Sequence, residues 1–475
     1  MSNDLPSSPP VTAPLCLIYL PPILANDPQA ELDVVGAKLA VAIDRQASVG
    51  AHVYRTVSDF VEVRGKKEKV CRILRMDPAG SNHHPLADIF MVDYRPELLS
   101  RFRDAMLAKK CVLTGIGLCE MIWRMLTREV GRGRHRLLSP RQRLQSVVAL
   151  AMLAVFAGYL TLMLVGGASI VHDTVFDQPR LPSQAPQSLL SFLVSAGQLV
   201  MGEYEGLGKA FRGWLEDPLE TGKKLLDPLS QASELTLVGA GGMTLLGRGR
   251  LRVLLNRLSE ELLAFVYYLS FADRRAEITG EVDDFIEGLV ESGPRYSRFA
   301  VMGYSFGSIV ALDVFCPADG VRARRLDHVD TLITIGSPHD FILTYWTDYF
   351  ANRDPAHRLP ENWLNIYSPI DVLSSQFEKT TPGRTNAPSS GLENSFGKSG
   401  LLAHGPTEEL VFREHSATEE LTLWSLVCLR GLRAHSLYWS PDDPRDRNCF
   451  NLIAPRLFPG EITAPPPAKE AAGDR

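Results

Sequence analysis

Residues 299–315 read Phe-Ala-Val-Met-Gly-Tyr-Ser-Phe-Gly-Ser-Ile-Val-Ala-Leu-Asp-Val-Phe. The apolar run Phe299–Met302 has the length of a buried strand, and after Gly303-Tyr304-Ser305-Phe306-Gly307 apolar residues return at helical spacing. A strand that turns this sharply into a helix holds its middle residue on a strained corner, with the Ser305 hydroxyl exposed. Glycines are needed at 303 and 307 because side chains there would collide as the chain doubles back. Five residues alone are a common pattern; the strand before them and the helix after them make this a nucleophile elbow.

Outward from the elbow, strands alternate with helices. Upstream, Leu15–Leu20 reads as a buried strand stopped by Pro21-Pro22, and helical periodicity runs through Ala30–Ile43. Strand-like segments follow at His52–Thr56, Val70–Arg75 and Asp88–Tyr94, then a helix near Leu98–Ala108. Just before the elbow, Leu251–Phe271 reads as a helix, and Ile278, Val282, Phe285, Ile286, Leu289 and Val290 share one face of another. Downstream come strands Thr331–Ile335, closed by Gly336-Ser337-Pro338, and Trp363–Tyr367, ending in Ser368-Pro369-Ile370-Asp371. Thr380–Pro406 is rich in Gly, Ser, Pro and Asn and reads as a long loop, followed by an amphipathic segment at Glu419–Leu432. The alternation predicts an α/β fold with a mostly parallel central sheet and helices on both faces.

The alternation stops between residues 109 and 247. Val147–Val171 contains no charged residue, which predicts a transmembrane helix. Arg132, Arg134, Arg136, Arg141 and Arg143 precede it, and His172, Asp173 and Asp177 follow, so the N-terminal flank is expected in the cytoplasm. Strands on both flanks sharing one sheet require an even number of crossings. The returning segment is sought among Val112–Leu126, Leu189–Met201 and Leu235–Leu246. The expected organisation is therefore a disordered 1–13, a first α/β part at 14–108, a basic and membrane-inserting part at 109–247, a second α/β part at 248–460, and a disordered tail at 461–475.

Composition narrows the chemistry. A net charge of −5 over 475 residues argues against nucleic acid as the main partner. Seven scattered cysteines without a Cys-x-x-Cys pair read as reduced, mostly buried thiols. Residues 1–13 carry no Lys or Arg, unlike a secretory signal, so the expected location is a cytoplasmic-side membrane. There is no Gly-rich phosphate loop and no metal-ligand cluster in the sequence, and no cofactor or metal is expected.

A serine hydroxyl is a poor nucleophile near neutral pH. It needs an adjacent imidazole, and the imidazole needs a carboxylate to hold its tautomer. Ser305 is followed by two acids at strand ends, Asp340 and Asp371, and then by His404, His415 and His435.

Four pieces together resemble the lipase- and esterase-like branches of the α/β-hydrolase superfamily. They are Gly303–Gly307, Gly336-Ser337-Pro338, Trp363–Tyr367 leading to Asp371, and His435 with Tyr438-Trp439. The resemblance covers about residues 14–100 and 250–455. It implies an α/β-hydrolase fold with Ser305 as nucleophile, Asp371 as acid and His435 as base. It also implies an oxyanion hole built from the Phe306 N–H and a second N–H in the turn after the first strand. Pro21 and Pro22 have no N–H to give, so Ile23 is the nearest donor there. The implied activity is a membrane-anchored serine hydrolase cleaving esters or thioesters of acyl lipids through an acyl-enzyme. A hydrolase-like scaffold of weak activity and an acyltransferase are the alternatives, and oligomeric state stays open.

Overall fold

The computed structural model describes residues 13–23, 27–47, 53–76, 83–103, 250–292, 296–317, 324–346, 349–350, 359–371, 373–377, 406–412, 434–439 and 448–462, with scattered positions between 105 and 124. In chain order the elements are β1 (Leu15–Leu20), α1 (Pro28–Gln46), β2 (Val53–Val63), β3 (Lys66–Met76), β4 (His83–Met91) and α2 (Arg95–Arg103). They continue with α3 (Arg250–Ser270), α4 (Ala272–Ser292), β5 (Arg298–Tyr304), α5 (Phe306–Phe315), β6 (Val329–Ile335), α6 (His339–Tyr345), β7 (Asn362–Tyr367), β8 (Glu408–Val411) and α7 (Phe450–Leu457).

The eight strands form one sheet in the order β2-β3-β4-β1-β5-β6-β7-β8. It is a mixed sheet. Pairing is parallel from β4 through β1, β5, β6 and β7 to β8, and antiparallel at β2-β3 and β3-β4. The antiparallel edge has a local cause: Arg64 and Gly65 both take positive φ (49° and 77°), the two-residue turn whose twist matches a hairpin. That turn lengthens both expected strands, since it lets Val63 pair with Lys66 directly across it.

β1 lies at the centre, and all six of its residues are buried. Alternation sends Leu17 and Tyr19 into a cluster with Leu39 and Ile43 of α1 and Ile453 of α7, while Cys16, Ile18 and Leu20 point to the opposite face. On that opposite side α5 and α4 pack together, and Ile278, Val282, Ile286 and Leu289 of α4 are buried, the face its periodicity predicts. α1 opens with Pro28 at its first turn, and the Asp27 side chain accepts from the Gln29 N–H at 2.9 Å. Cys16, Cys71, Cys316 and Cys449 are all buried and free, and burial pushes the Cys71 thiol up to about 12.

The expected transmembrane insertion is overturned: among the described residues no helix is long and apolar enough to cross a membrane. The physical reason lies in charge. The two longest helices among the described residues, α3 and α4, have 21 residues each, but α3 holds Arg250, Arg252, Arg257, Glu260 and Glu261, and α4 is amphipathic. The run Val147–Val171 and the segments Leu189–Met201, Leu235–Leu246 and Glu419–Leu432 lie outside the described residues, as do most of Val112–Leu126 and of the loop at 380–406.

The chain divides into two compact units. One comprises Met1–Ser100, Met121–Val148 and Ala264–Arg475; the other comprises Arg101–Glu120 and Ala149–Leu263. The first holds the sheet. In the second, the buried Lys110 ammonium donates to Asn256 Oδ1 at 2.9 Å and to Glu260 Oε1 at 2.5 Å.

One buried charge ties the antiparallel edge to the parallel core. Asp88 of β4 is buried and accepts a forked pair of bonds from Arg72 of β3 (2.8 and 3.1 Å) and a third from Tyr296 at 3.1 Å. Arg72→Met is expected to cost roughly 3 kcal/mol in urea denaturation, because it strands a buried carboxylate. The double variant Arg72→Met/Asp88→Leu is expected to recover much of that loss; a double variant no more stable than the single would remove the ion pair as the explanation.

Candidate active site

The elbow forms where β5 ends. Ser305 sits at φ 52°, ψ −121°, and among the described residues only Arg64 shares its positive φ without being glycine. Its amide donates to the Ile335 carbonyl of β6 at 2.8 Å, and its own carbonyl accepts from the Ser308 N–H at 3.0 Å and the Ser308 hydroxyl at 2.5 Å. The corner is thus held from both sides. The flanking glycines are required by contact: a Cβ on Gly303 would lie 2.5 Å from the Gly307 carbonyl oxygen, and one on Gly307 would lie 2.1 Å from the Leu20 oxygen.

Parallel register sets the C-terminal ends of neighbouring strands side by side, with Leu20 beside Gly303, Tyr304 beside Ile335 and Ile335 beside Ile366. Loops leaving those ends therefore meet above one edge of the sheet. Ser305 leaves β5 there, and Asp371 follows β7. His435 arrives from the C-terminal part of the chain, in the helical pair Ala434-His435 just before the turn at Ser436.

The three side chains converge. His435 Nε2 lies 2.6 Å from Ser305 Oγ, and His435 Nδ1 lies 2.9 Å from Asp371 Oδ2. Asp371 is fully buried and His435 nearly so, with 14% of its side chain exposed. Acceptance by a carboxylate fixes the tautomer: Nδ1 carries the hydrogen and Nε2 presents its lone pair to the serine hydroxyl. Asp371 Oδ1 accepts from the Leu373 N–H at 2.9 Å, so both carboxylate oxygens are engaged.

The remaining expected residues separate. Asp340 lies in the first turn of α6, where its N–H donates to Ser375 Oγ at 2.7 Å and its carboxylate lies 3.6 Å from the buried His339 ring. It is Asp371, and not Asp340, that meets His435. His404 and His415 lie outside the described residues. Phe306 opens α5, with its N–H in the first helical turn. Ile23 lies in the turn after β1, and that turn is pressed against the elbow by the Leu20 and Pro21 carbonyls over Gly307. Tyr94 pins it, donating its hydroxyl to the Pro21 oxygen at 2.5 Å. Neither the Phe306 nor the Ile23 N–H is taken by a backbone acceptor among the described residues.

Two tyrosines complete the arrangement. The Tyr438 hydroxyl donates to Asp371 Oδ2 at 2.9 Å, the same oxygen that holds His435, and accepts from the Ser368 N–H at 2.9 Å. Burial, and then the Asp371 charge, push the Tyr438 phenol well above its usual range, so it stays a donor at any working pH. Tyr304, the residue before Ser305, donates its hydroxyl to the His435 backbone oxygen and stacks on the imidazole with ring centroids 5.8 Å apart. Tyr304 and Tyr438 stand inside the elbow and histidine motifs of the sequence, which mark neither for a role. The available signal was their place, one residue before Ser305 and three after His435.

Beside the elbow stands an aromatic wall. Phe265 lies 5.4 Å from Phe306, 5.7 Å from Phe341 and 5.6 Å from Trp346, measured between ring centroids. Among the described residues no group of acidic, histidine and cysteine side chains has metal-binding geometry. No family model, curated protein or solved structure matches the chain.

The close approach at Gly307 gives a direct test. Gly307→Ala is expected to lower stability by about 3 kcal/mol or more, since a backbone carbonyl cannot move aside as a side-chain tip would. Thermal unfolding measures it, and a melting temperature unchanged from wild type would contradict the packing described.

Proposed function

We propose that the protein is a serine hydrolase that cleaves carboxylic esters or thioesters through an acyl-enzyme. One observation carries the reading: an unbroken hydrogen-bonded path from Ser305 Oγ through His435 to a buried Asp371. The strained elbow and the strand order around it support a place in the α/β-hydrolase superfamily.

In this mechanism His435 Nε2 takes the Ser305 proton as Oγ attacks the acyl carbonyl carbon. Asp371 stabilises the imidazolium that forms without itself taking the proton. The carbonyl oxygen becomes an oxyanion, and the Phe306 and Ile23 N–H groups are the donors assigned to it. His435 then returns the proton to the departing alcohol or thiol, leaving Ser305 acylated. In the second half His435 activates a water, which releases the acid and restores the serine. The wall formed by Phe265, Phe306, Phe341 and Trp346 supports an apolar acyl group as the part of the substrate beside the nucleophile.

A fluorophosphonate probe should label the wild-type chain at Ser305, and Ser305→Ala should abolish both labelling and hydrolysis of p-nitrophenyl acyl esters. The rate is expected to fall by about four to six orders of magnitude. A wild-type protein that neither labels nor hydrolyses any ester would favour a scaffold built on the same fold.

Tyr438 offers a second test of the same chain of bonds. Tyr438→Phe removes the donor that shares Asp371 Oδ2 with His435 Nδ1 and leaves the Ser368 N–H without its acceptor. A stability loss of about 2 kcal/mol is expected for the broken bond to a buried charge, with kcat for ester hydrolysis falling about tenfold and KM little changed. A variant as stable and as active as the wild type would reduce Tyr438 to a packing role.

A further inference from the structure

The outer strand β2 contains Val53-Tyr54-Arg55-Thr56-Val57-Ser58-Asp59-Phe60-Val61, and this stretch is complementary to its own reverse. Laid antiparallel on itself about Val57, it sets Val53 against Val61, Tyr54 against Phe60, Arg55 against Asp59 and Thr56 against Ser58. We infer that the free edge of β2 pairs with β2 of a second copy of this chain, about a two-fold axis through Val57, joining the two sheets into one.

Four observations support the inference independently of any catalytic reading. First, β2 is the last strand of the sheet, and among the described residues nothing pairs with its outer edge. Its 11 residues present the backbone groups of every second residue to that edge.

Second, the edge is apolar where an edge left in water would be charged. The described residues include only four exposed large hydrophobics, and three are on β2: Val53 (46%), Val57 (47%) and Phe60 (63%).

Third, the hydrogen-bonding phase is right. The two-residue turn at Arg64-Gly65 makes Val63 and Lys66 a hydrogen-bonded pair, so odd-numbered residues of β2 direct their N–H and C=O groups to β3. Even-numbered residues direct theirs outward. Tyr54 and Phe60, and Thr56 and Ser58, are therefore the pairs that exchange bonds between copies. The Phe60 N–H behaves as such an outward donor: it is held by Asp59 Oδ1 at 2.8 Å instead of by β3.

Fourth, the charges match in this register alone. Arg55 is exposed and makes no ion pair among the described residues. Asp59 is bound to Arg72 at 3.0 Å through Oδ2, and its Oδ1 is freed once the partner's strand takes the Phe60 N–H. A slip by one pair in either direction would set Arg55 against Val61 or Val57. The axis thus falls where the two ion pairs, the aromatic pairs and the hydroxyl pairs form together.

Sedimentation velocity on the full chain across the micromolar range tests the interface. The wild type is expected as a dimer of twice 52.5 kDa. Val57→Lys, which sets two ammonium groups face to face on the axis, and Arg55→Asp, which sets carboxylates face to face, should each raise the dimer dissociation constant by about a hundredfold. Both positions are exposed, so circular dichroism and melting should match the wild type. The charge swap Arg55→Asp/Asp59→Arg should restore the dimer. A wild type that stays monomeric throughout, a dimer indifferent to Val57→Lys, or a charge swap no better than Arg55→Asp alone would each overturn the proposal.

Discussion

The bond from the Ser305 amide to the Ile335 carbonyl is the constraint on which the site depends. It ties a residue at positive φ to the end of the neighbouring strand, so the strained corner cannot relax without breaking a rung of the sheet. The Leu20 and Pro21 carbonyls close over Gly307 from the other side. β1, β5 and β6 together thus hold one backbone geometry, and the Ser305 hydroxyl points where that geometry sends it.

The histidine is held by a different kind of restraint. His435 is the last helical residue before the turn at Ser436, and the nearby segments at 413–433 and 440–447 are outside the described residues. What fixes it is side-chain chemistry. Asp371 holds Nδ1, Tyr304 holds the backbone oxygen and stacks on the ring, and Tyr438 braces Asp371. Because Tyr304 adjoins Ser305 and Tyr438 bonds Asp371, His435 is connected to both of those residues through aromatic rings. Satisfied networks of this kind rigidify a buried polar site, and an unsatisfied member would be costly.

The two ends of the sheet order differ in kind. Toward β5, β6 and β7 the strands are parallel and buried, and their C-terminal loops assemble the site. Toward β2 the sheet turns antiparallel through a tight hairpin and ends in a long, partly apolar strand. A parallel strand needs a crossover that covers a face, whereas a hairpin strand does not, and among the described residues no strand pairs with the outer edge of β2.

Much was legible in the sequence for physical reasons. Alternation of apolar runs with helical periodicity marked β1, α1, β5, β6, β7 and the buried face of α4, because burial on a sheet imposes those periods. The elbow could be read because only glycine tolerates contacts of 2.1–2.5 Å with backbone. Other features were not legible. The apolar run at 147–171 suggested a membrane span, and no described helix bears that out. The hairpin register of β2 and β3 depended on two positive φ angles that Arg64-Gly65 only hints at, and β8 is a four-residue strand with two glutamates and no apolar alternation to announce it. By itself the sequence determined the α/β class, the corner at Ser305 and a short set of acids and histidines, since each is a matter of local pattern. Only the tertiary structure chose Asp371 over Asp340, brought His435 to the serine, and enlisted Tyr304 and Tyr438. Those choices rest on which strand ends lie side by side, and sheet order is set by long-range packing that no local window contains.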